Sequence, residues 1–218
     1  MLLSVQAIIS QSLLILGALF PIVNPVGNAP IFLSLTEGYT SATRELLSRK
    51  IAFNCFVLII ASLLTGNYIL AFFGISLPVV QVGGGMVVIA TGWSLLNRKD
   101  EEAKPPASVS LAILSRRAFY PLTLPLTVGP GSISVAITLG ANQTHRVKLT
   151  LVLLAAAILG AILLAVTIYL SYRFSESLAR LLGDTGMNVV LRLSSFILLC
   201  IGVQILWNGI SELLSSVR

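Results

Sequence analysis

Five long runs without Asp, Glu, Lys or Arg make up most of the chain, at 1–36, 51–97, 118–145, 149–172 and 193–211. A helix needs about 20 predominantly apolar residues to cross the hydrocarbon core of a bilayer. Each run is long enough, or nearly so, for one crossing. The 51–97 run is long enough for two, divided at Gly74-Ile75-Ser76-Leu77-Pro78, a turn sequence that closes a tight hairpin. The pattern predicts an all-α membrane protein with six transmembrane helices at about 5–35, 50–73, 78–96, 118–140, 149–171 and 189–212.

Two of these helices cannot be continuous. Asn24-Pro25-Val26-Gly27-Asn28-Ala29-Pro30 interrupts the first, and Pro125-Leu126-Thr127-Val128-Gly129-Pro130-Gly131-Ser132 interrupts the fourth. Each proline removes a backbone donor and clashes with the carbonyl one turn earlier. Inside a bilayer the freed groups are tolerated only where the backbone is buried in protein or lines a wet cavity. The two breaks are therefore expected to face each other as halves of one site, with helices restarting at about Asn28 and Ser132.

Composition places the chain in a membrane: it is 56% hydrophobic and 10% charged, with a net charge of +6. The basic residues sit in short connections, so topology accounts for them and nucleic acid is not an expected partner. Six crossings put both termini on one side. That side carries three basic residues, Arg146, Lys148 and Arg218. The other carries Arg44, Arg49, Lys50, Arg98, Lys99, Lys104, Arg116, Arg117, Arg173, Arg180 and Arg192, eleven in all. Lys and Arg in short loops are retained in the cytoplasm, which predicts an inner-membrane protein with both termini outside. Met1-Leu2-Leu3-Ser4 has no positive flank, so the first helix is expected to be retained rather than cleaved. Cys55 and Cys200 are expected to be small buried hydrophobes.

An internal likeness divides the chain into a first repeat at about 1–96, a cytoplasmic connection at 97–117 and a second repeat at about 118–218. Asn24-Pro25-Val26-Gly27 corresponds to Gly129-Pro130-Gly131-Ser132, and Leu70-Ala71-Phe72-Phe73-Gly74 to Ala179-Arg180-Leu181-Leu182-Gly183. Three spans per copy force the second to insert upside down. Two inverted three-helix repeats, each with one broken helix, are an architecture of secondary transporters that bind substrate near the midplane.

A helix that restarts after a break offers free backbone amides and the positive end of its dipole, which suit a carboxylate. The expected substrate-binding residues are Asn24, Pro25, Gly27, Asn28, Thr127, Gly129, Pro130, Gly131 and Ser132, with Gln81 as a secondary candidate. Asn28 and Ser132 either contact substrate or cap the broken helices, and Asn24, before Pro25, either does so or closes an Asx-type turn. Gly83-Gly84-Gly85 suits helix packing. Arg192 is either an interface anchor or a gating charge, and Gln204 and Asn208 share one helical face. The spans hold no catalytic motif and no metal-ligand set, so neither an enzyme nor a cofactor is expected.

The chain resembles the MarC (UPF0056) family of six-span inner-membrane proteins, within the LysE-type transporter superfamily. The resemblance is carried by Asn-Pro-Val-Gly-Asn-Ala-Pro-Ile-Phe at 24–32, Gly-Ile-Ser-Leu-Pro at 74–78 with Gly83-Gly84-Gly85, and the 120–134 stretch from Tyr120 to Ser134. Arg192-Leu193-Ser194-Ser195 departs from the family pattern, with serines in place of a glycine. Relatives of the SnatA type move small neutral amino acids such as glycine and alanine along an ion gradient, so the resemblance implies that activity, coupled to H+ or Na+. The scarcity of charge in the spans suits a zwitterion. The competing readings are an exporter of drugs or other small metabolites and a non-transport assembly or regulatory protein; a homodimer is compatible with all three.

Overall fold

The computed structural model describes residues 2–97, 111–143 and 150–216. Outside these lie Arg98, Lys99, Lys104, the Asp100-Glu101-Glu102 run, His145, Arg146, Lys148 and Arg218. Every element described is helical: α1 (Leu2–Val23), α2 (Pro25–Leu35), α3 (Ser41–Phe73), α4 (Leu77–Leu96), α5 (Leu111–Arg117), a loosely wound stretch (Ala118–Thr127), α6 (Pro130–Gln143), α7 (Thr150–Arg173) and α8 (Ser175–Ser216). Five helices are long and apolar enough to cross a bilayer. A sixth crossing is formed if Leu114–Thr127 and Pro130–Gly140 are taken together across their 70° bend.

Several boundaries differ from the sequence expectation, each for a local reason. Helix α3 begins at Ser41 rather than near 50, because the Thr40 side chain accepts the Thr43 N–H at 3.2 Å and caps it. Its 33 residues span about 50 Å, so the charged first turns reach beyond a hydrocarbon core about 30 Å thick. The connection predicted to run to 117 ends sooner, since Leu111–Arg117 is helical. The sixth crossing continues back to Ser175 across a bend at Gly183, whose φ of 65° and ψ of 175° suit only glycine. The hairpin at 74–78 forms as expected, with Gly74 at φ 64° ending α3.

Close backbone approach organises the bundle. Helices α4 and α8 make its most extensive contact. A Cβ on Gly85 would lie 2.6 Å from the Leu206 nitrogen, and one on Gly202 would lie 2.7 Å from the Ile89 nitrogen. Gly92 and Gly209 meet the facing backbone as closely, at 2.8 Å and 2.6 Å. These pairs lie seven residues apart on each helix, so the small residues form one continuous seam. Of the Gly83-Gly84-Gly85 run, Gly84 and Gly85 face neighbouring backbone, while a Cβ on Gly83 would meet nothing within 4 Å.

The core is built mainly from α1, α2, α3, α7 and the loosely wound stretch, with Leu114 of α5 and Ala136 of α6 joining it; Ile15, Leu19, Phe32, Ile51, Leu164 and Tyr172 are among its buried members. Cys55 lies in it, but Cys200 is exposed on the outside of α8. The expectation that both are buried fails for Cys200 because a lipid-facing surface is as apolar as a core. One polar corner joins three elements. Arg44 pairs with Glu176 at the start of α8 and donates from Nε to the Thr36 carbonyl, 3.3 Å away at the end of α2. Ser41 also donates to the Glu176 carboxylate, at 3.0 and 3.1 Å.

Candidate functional site

The first break is one residue wide. Asn24 adopts left-handed backbone angles, φ 44° and ψ 57°, which asparagine tolerates better than most residues. Its side-chain oxygen accepts the Gly27 N–H at 3.2 Å. A Cβ on Gly27 would fall 2.3 Å from the Asn24 side chain, so the cap requires glycine there. The helix restarts at Pro25, not at Asn28, because a first-turn proline forfeits no hydrogen bond and already has helical φ.

The second break is wider. Tyr120 and Leu124, each followed by a proline, leave helical geometry, and both X–Pro bonds are cis. The stretch between is wound with bonds to the fifth residue back, Val128 N–H to the Thr123 carbonyl at 2.9 Å among them. Threonine hydroxyls supply further donors: Thr123 bonds the Ala118 carbonyl and Thr127 the Leu122 carbonyl, both at 2.6 Å. Helix α6 restarts at Pro130 rather than Ser132, for the same reason as α2. Asn24-Pro25 and Gly129-Pro130 thus occupy equivalent cap and first-turn positions.

Asn28 joins the two breaks. The Gly27 N–H, which would bond the Val23 carbonyl in a continuous helix, is taken by Asn24. The donor due to the Leu126 carbonyl would come from residue 130, a proline. The Asn28 amide fills both places, donating to Val23 O at 2.8 Å and to Leu126 O at 3.2 Å. It is 2% exposed. Both of its N–H groups are therefore committed to the breaks and not to a ligand.

The other expected site residues distribute around this bond. Pro25 and Gly27 are buried with it in α2. Thr127 is buried and bonded to the Tyr172 hydroxyl at 2.7 Å. Gly129 and Pro130 are half-buried at the α6 restart. Ser132 back-bonds to the Gly129 carbonyl at 2.9 Å, the capping alternative. The Gly131 and Ser132 amides are buried and, among the described residues, have no protein acceptor. Two turns of α4 lie against this end: a Cβ on Gly84 would sit 3.2 Å from the Pro130 carbonyl and 3.4 Å from the Gly131 nitrogen. Ser134, fully buried, has an unpartnered hydroxyl. Gln81 also has a buried, unpartnered side-chain oxygen, but its Cβ is opposite Gly209 in the α4–α8 seam. Arg192 is exposed on α8, and Gln204 donates to Asn208 at 2.8 Å on the exposed face.

The sequence reading missed Tyr172, Phe32 and Asn54. Tyr172 stacks flat on Phe32 of α2, with centroids 4.6 Å apart, while its hydroxyl holds Thr127 of the second break. It is a second tie between the breaks. Asn54 of α3 donates to Thr123 at 3.3 Å. Replacing Tyr172 by phenylalanine keeps the stack and is expected to cost about 1 kcal/mol, whereas Thr127→Val also strips the Leu122 carbonyl and should cost about twice as much. Thermal unfolding of the two purified variants checks that order.

A bundle of apolar spans enclosing two paired helix interruptions defines a polytopic α-helical membrane protein. The model of the MarC family of integral membrane proteins matches residues 8–214. The UPF0056 membrane protein YvbG of Bacillus subtilis is 32% identical over 204 residues, covering 88% of this chain and 90% of its own length. A UPF0056 membrane protein of Archaeoglobus fulgidus is 33% identical, covering 91% of each chain, and the UPF0056 inner membrane protein MarC of Citrobacter koseri is 30% identical, covering 92% and 94%. The chain belongs to the MarC family. No solved structure matches it.

Proposed function

We propose that this protein is a secondary transporter of small neutral amino acids in the inner membrane, with a glycine- or alanine-sized zwitterion received where the two broken helices meet. The observation that carries the reading is the Asn28 bond that joins the two interruptions, at 2.8 and 3.2 Å. An interruption is tolerated in a bilayer only in a protein-lined or wet setting, and two held together inside the bundle are a costly feature for a merely structural protein. The buried Gly131 and Ser132 amides at the start of α6 suit the carboxylate, since a helix N-terminus favours negative charge. Ser134 supplies a neutral hydroxyl nearby in sequence. No Asp, Glu, Lys or Arg lies within either break, which fits a solute whose own charges cancel.

Flux into proteoliposomes tests this directly. Labelled glycine or alanine is expected to accumulate under an imposed proton or sodium gradient, applied separately, and unlabelled neutral amino acids should compete. Absence of amino-acid flux under either gradient, with the protein correctly inserted, rejects the reading. Movement of a bulky apolar drug instead would favour an exporter.

A further inference from the structure

Away from the two breaks, the outer faces of α3 and α7 flank an open groove of about 610 Å³. Its walls include Phe53, Phe56, Ile162 and Val166, and its polar groups are at one end, Arg49 and Tyr169. We infer that this groove binds an anionic glycerophospholipid, with the phosphate held by Arg49 and an acyl chain laid between Phe53 and Val166.

The groove faces the bilayer rather than the core: Phe53 is 65% exposed and Val166 45%. Both helices carry spans apolar enough to be surrounded by acyl chains, so the trough will be filled by lipid or by another apolar surface. Charge selects the lipid. The Arg49 side chain is 65% exposed and sits beside the Tyr169 hydroxyl. One Glu45 oxygen bonds Arg49 at 2.7 Å and the other bonds Arg173 at 3.1 Å. Two guanidinium groups share one carboxylate, and the trio keeps a net positive charge at the groove's mouth. A guanidinium holds phosphate through paired N–H donors, and basic pockets between membrane helices recognise anionic headgroups in this way.

Scale agrees with this assignment. Arg49 and Phe56 are seven residues apart on α3, as are Tyr169 and Ile162 on α7, so the charged mouth and the groove floor are separated by about 10 Å along each helix. That matches a headgroup above the start of its acyl chain. The inference is independent of what the two breaks transport.

Native mass spectrometry of the full chain, titrated with dioleoyl-phosphatidylglycerol or dioleoyl-phosphatidylcholine, tests it. The wild type is expected to take up the first phosphatidylglycerol at roughly fivefold lower concentration than phosphatidylcholine, the preference one arginine supplies. Arg49→Gln, at an exposed side chain, should erase that preference by weakening phosphatidylglycerol more than phosphatidylcholine, whose choline cation already offsets its phosphate. Ala165→Phe, which fills the groove, should weaken both lipids. An unchanged preference in Arg49→Gln overturns the proposal, and so does displacement of phosphatidylglycerol by inorganic phosphate alone. A dimer that forms in the wild type and is lost in Ala165→Phe also overturns it, by identifying the occupant as a second copy.

Discussion

Asn28→Asp is expected to abolish the proposed amino-acid flux and to lower the detergent unfolding midpoint by about 4–24 °C. The asparagine amide gives one N–H to each break. An ionised aspartate gives none; protonated, the form that burial against two carbonyls favours, it gives one O–H, and the proton it must take up at neutral pH costs at least as much as the donor it restores. Leaving two buried acceptors without donors costs about 2–6 kcal/mol, and for a chain of this size each kcal/mol shifts the midpoint by roughly 2–4 °C. Asn28→Leu separates charge from lost donors: it should destabilise by the lower part of that range. A purified Asn28→Leu protein that transports at wild-type rate would show that the link between the breaks is dispensable.

Gly85→Leu is expected to be the most damaging change among the α4 glycines. The added Cβ would lie 2.6 Å from the Leu206 nitrogen and 2.8 Å from the Gly202 carbonyl oxygen, contacts with backbone that no rotamer relieves. The two helices must move apart along their shared seam, at a cost of about 3 kcal/mol or more. Gly83→Ala, two residues earlier, meets nothing within 4 Å and serves as the control. The yield of monodisperse protein and its unfolding midpoint should fall for the first and hold for the second. Equal loss in both variants would mean that seam contact does not govern these positions, since both substitutions raise helix propensity.

The breaks were legible because proline and glycine act through the backbone, where sequence alone decides. Asn24-Pro25 and Gly129-Pro130 mark the helix restarts within three residues of their actual places. The small error came from overlooking that proline is at ease at the first helical position. The early start of α3 carried a visible signal, Thr40 three residues ahead of Thr43, hidden by defining spans through the absence of charge. Tyr172 was not legible. A tyrosine next to Arg173 at the end of an apolar run reads as an interfacial residue, and only the packing of α7 against α2 shows it buried. Nor does hydropathy separate Cys200, turned outward, from Cys55, turned inward, since both lie on equally apolar helices.

The corner at Arg44 has a mechanical consequence. That guanidinium, carried by α3, ties the far end of α2 and the start of α8 to α3, so α2 cannot swing without dragging α3 and α8 or rupturing these bonds. The backbone bends bounding this linked unit are Asn24 and Gly183, two of the few described residues with positive φ. Motion of either arm should thus be felt by the other.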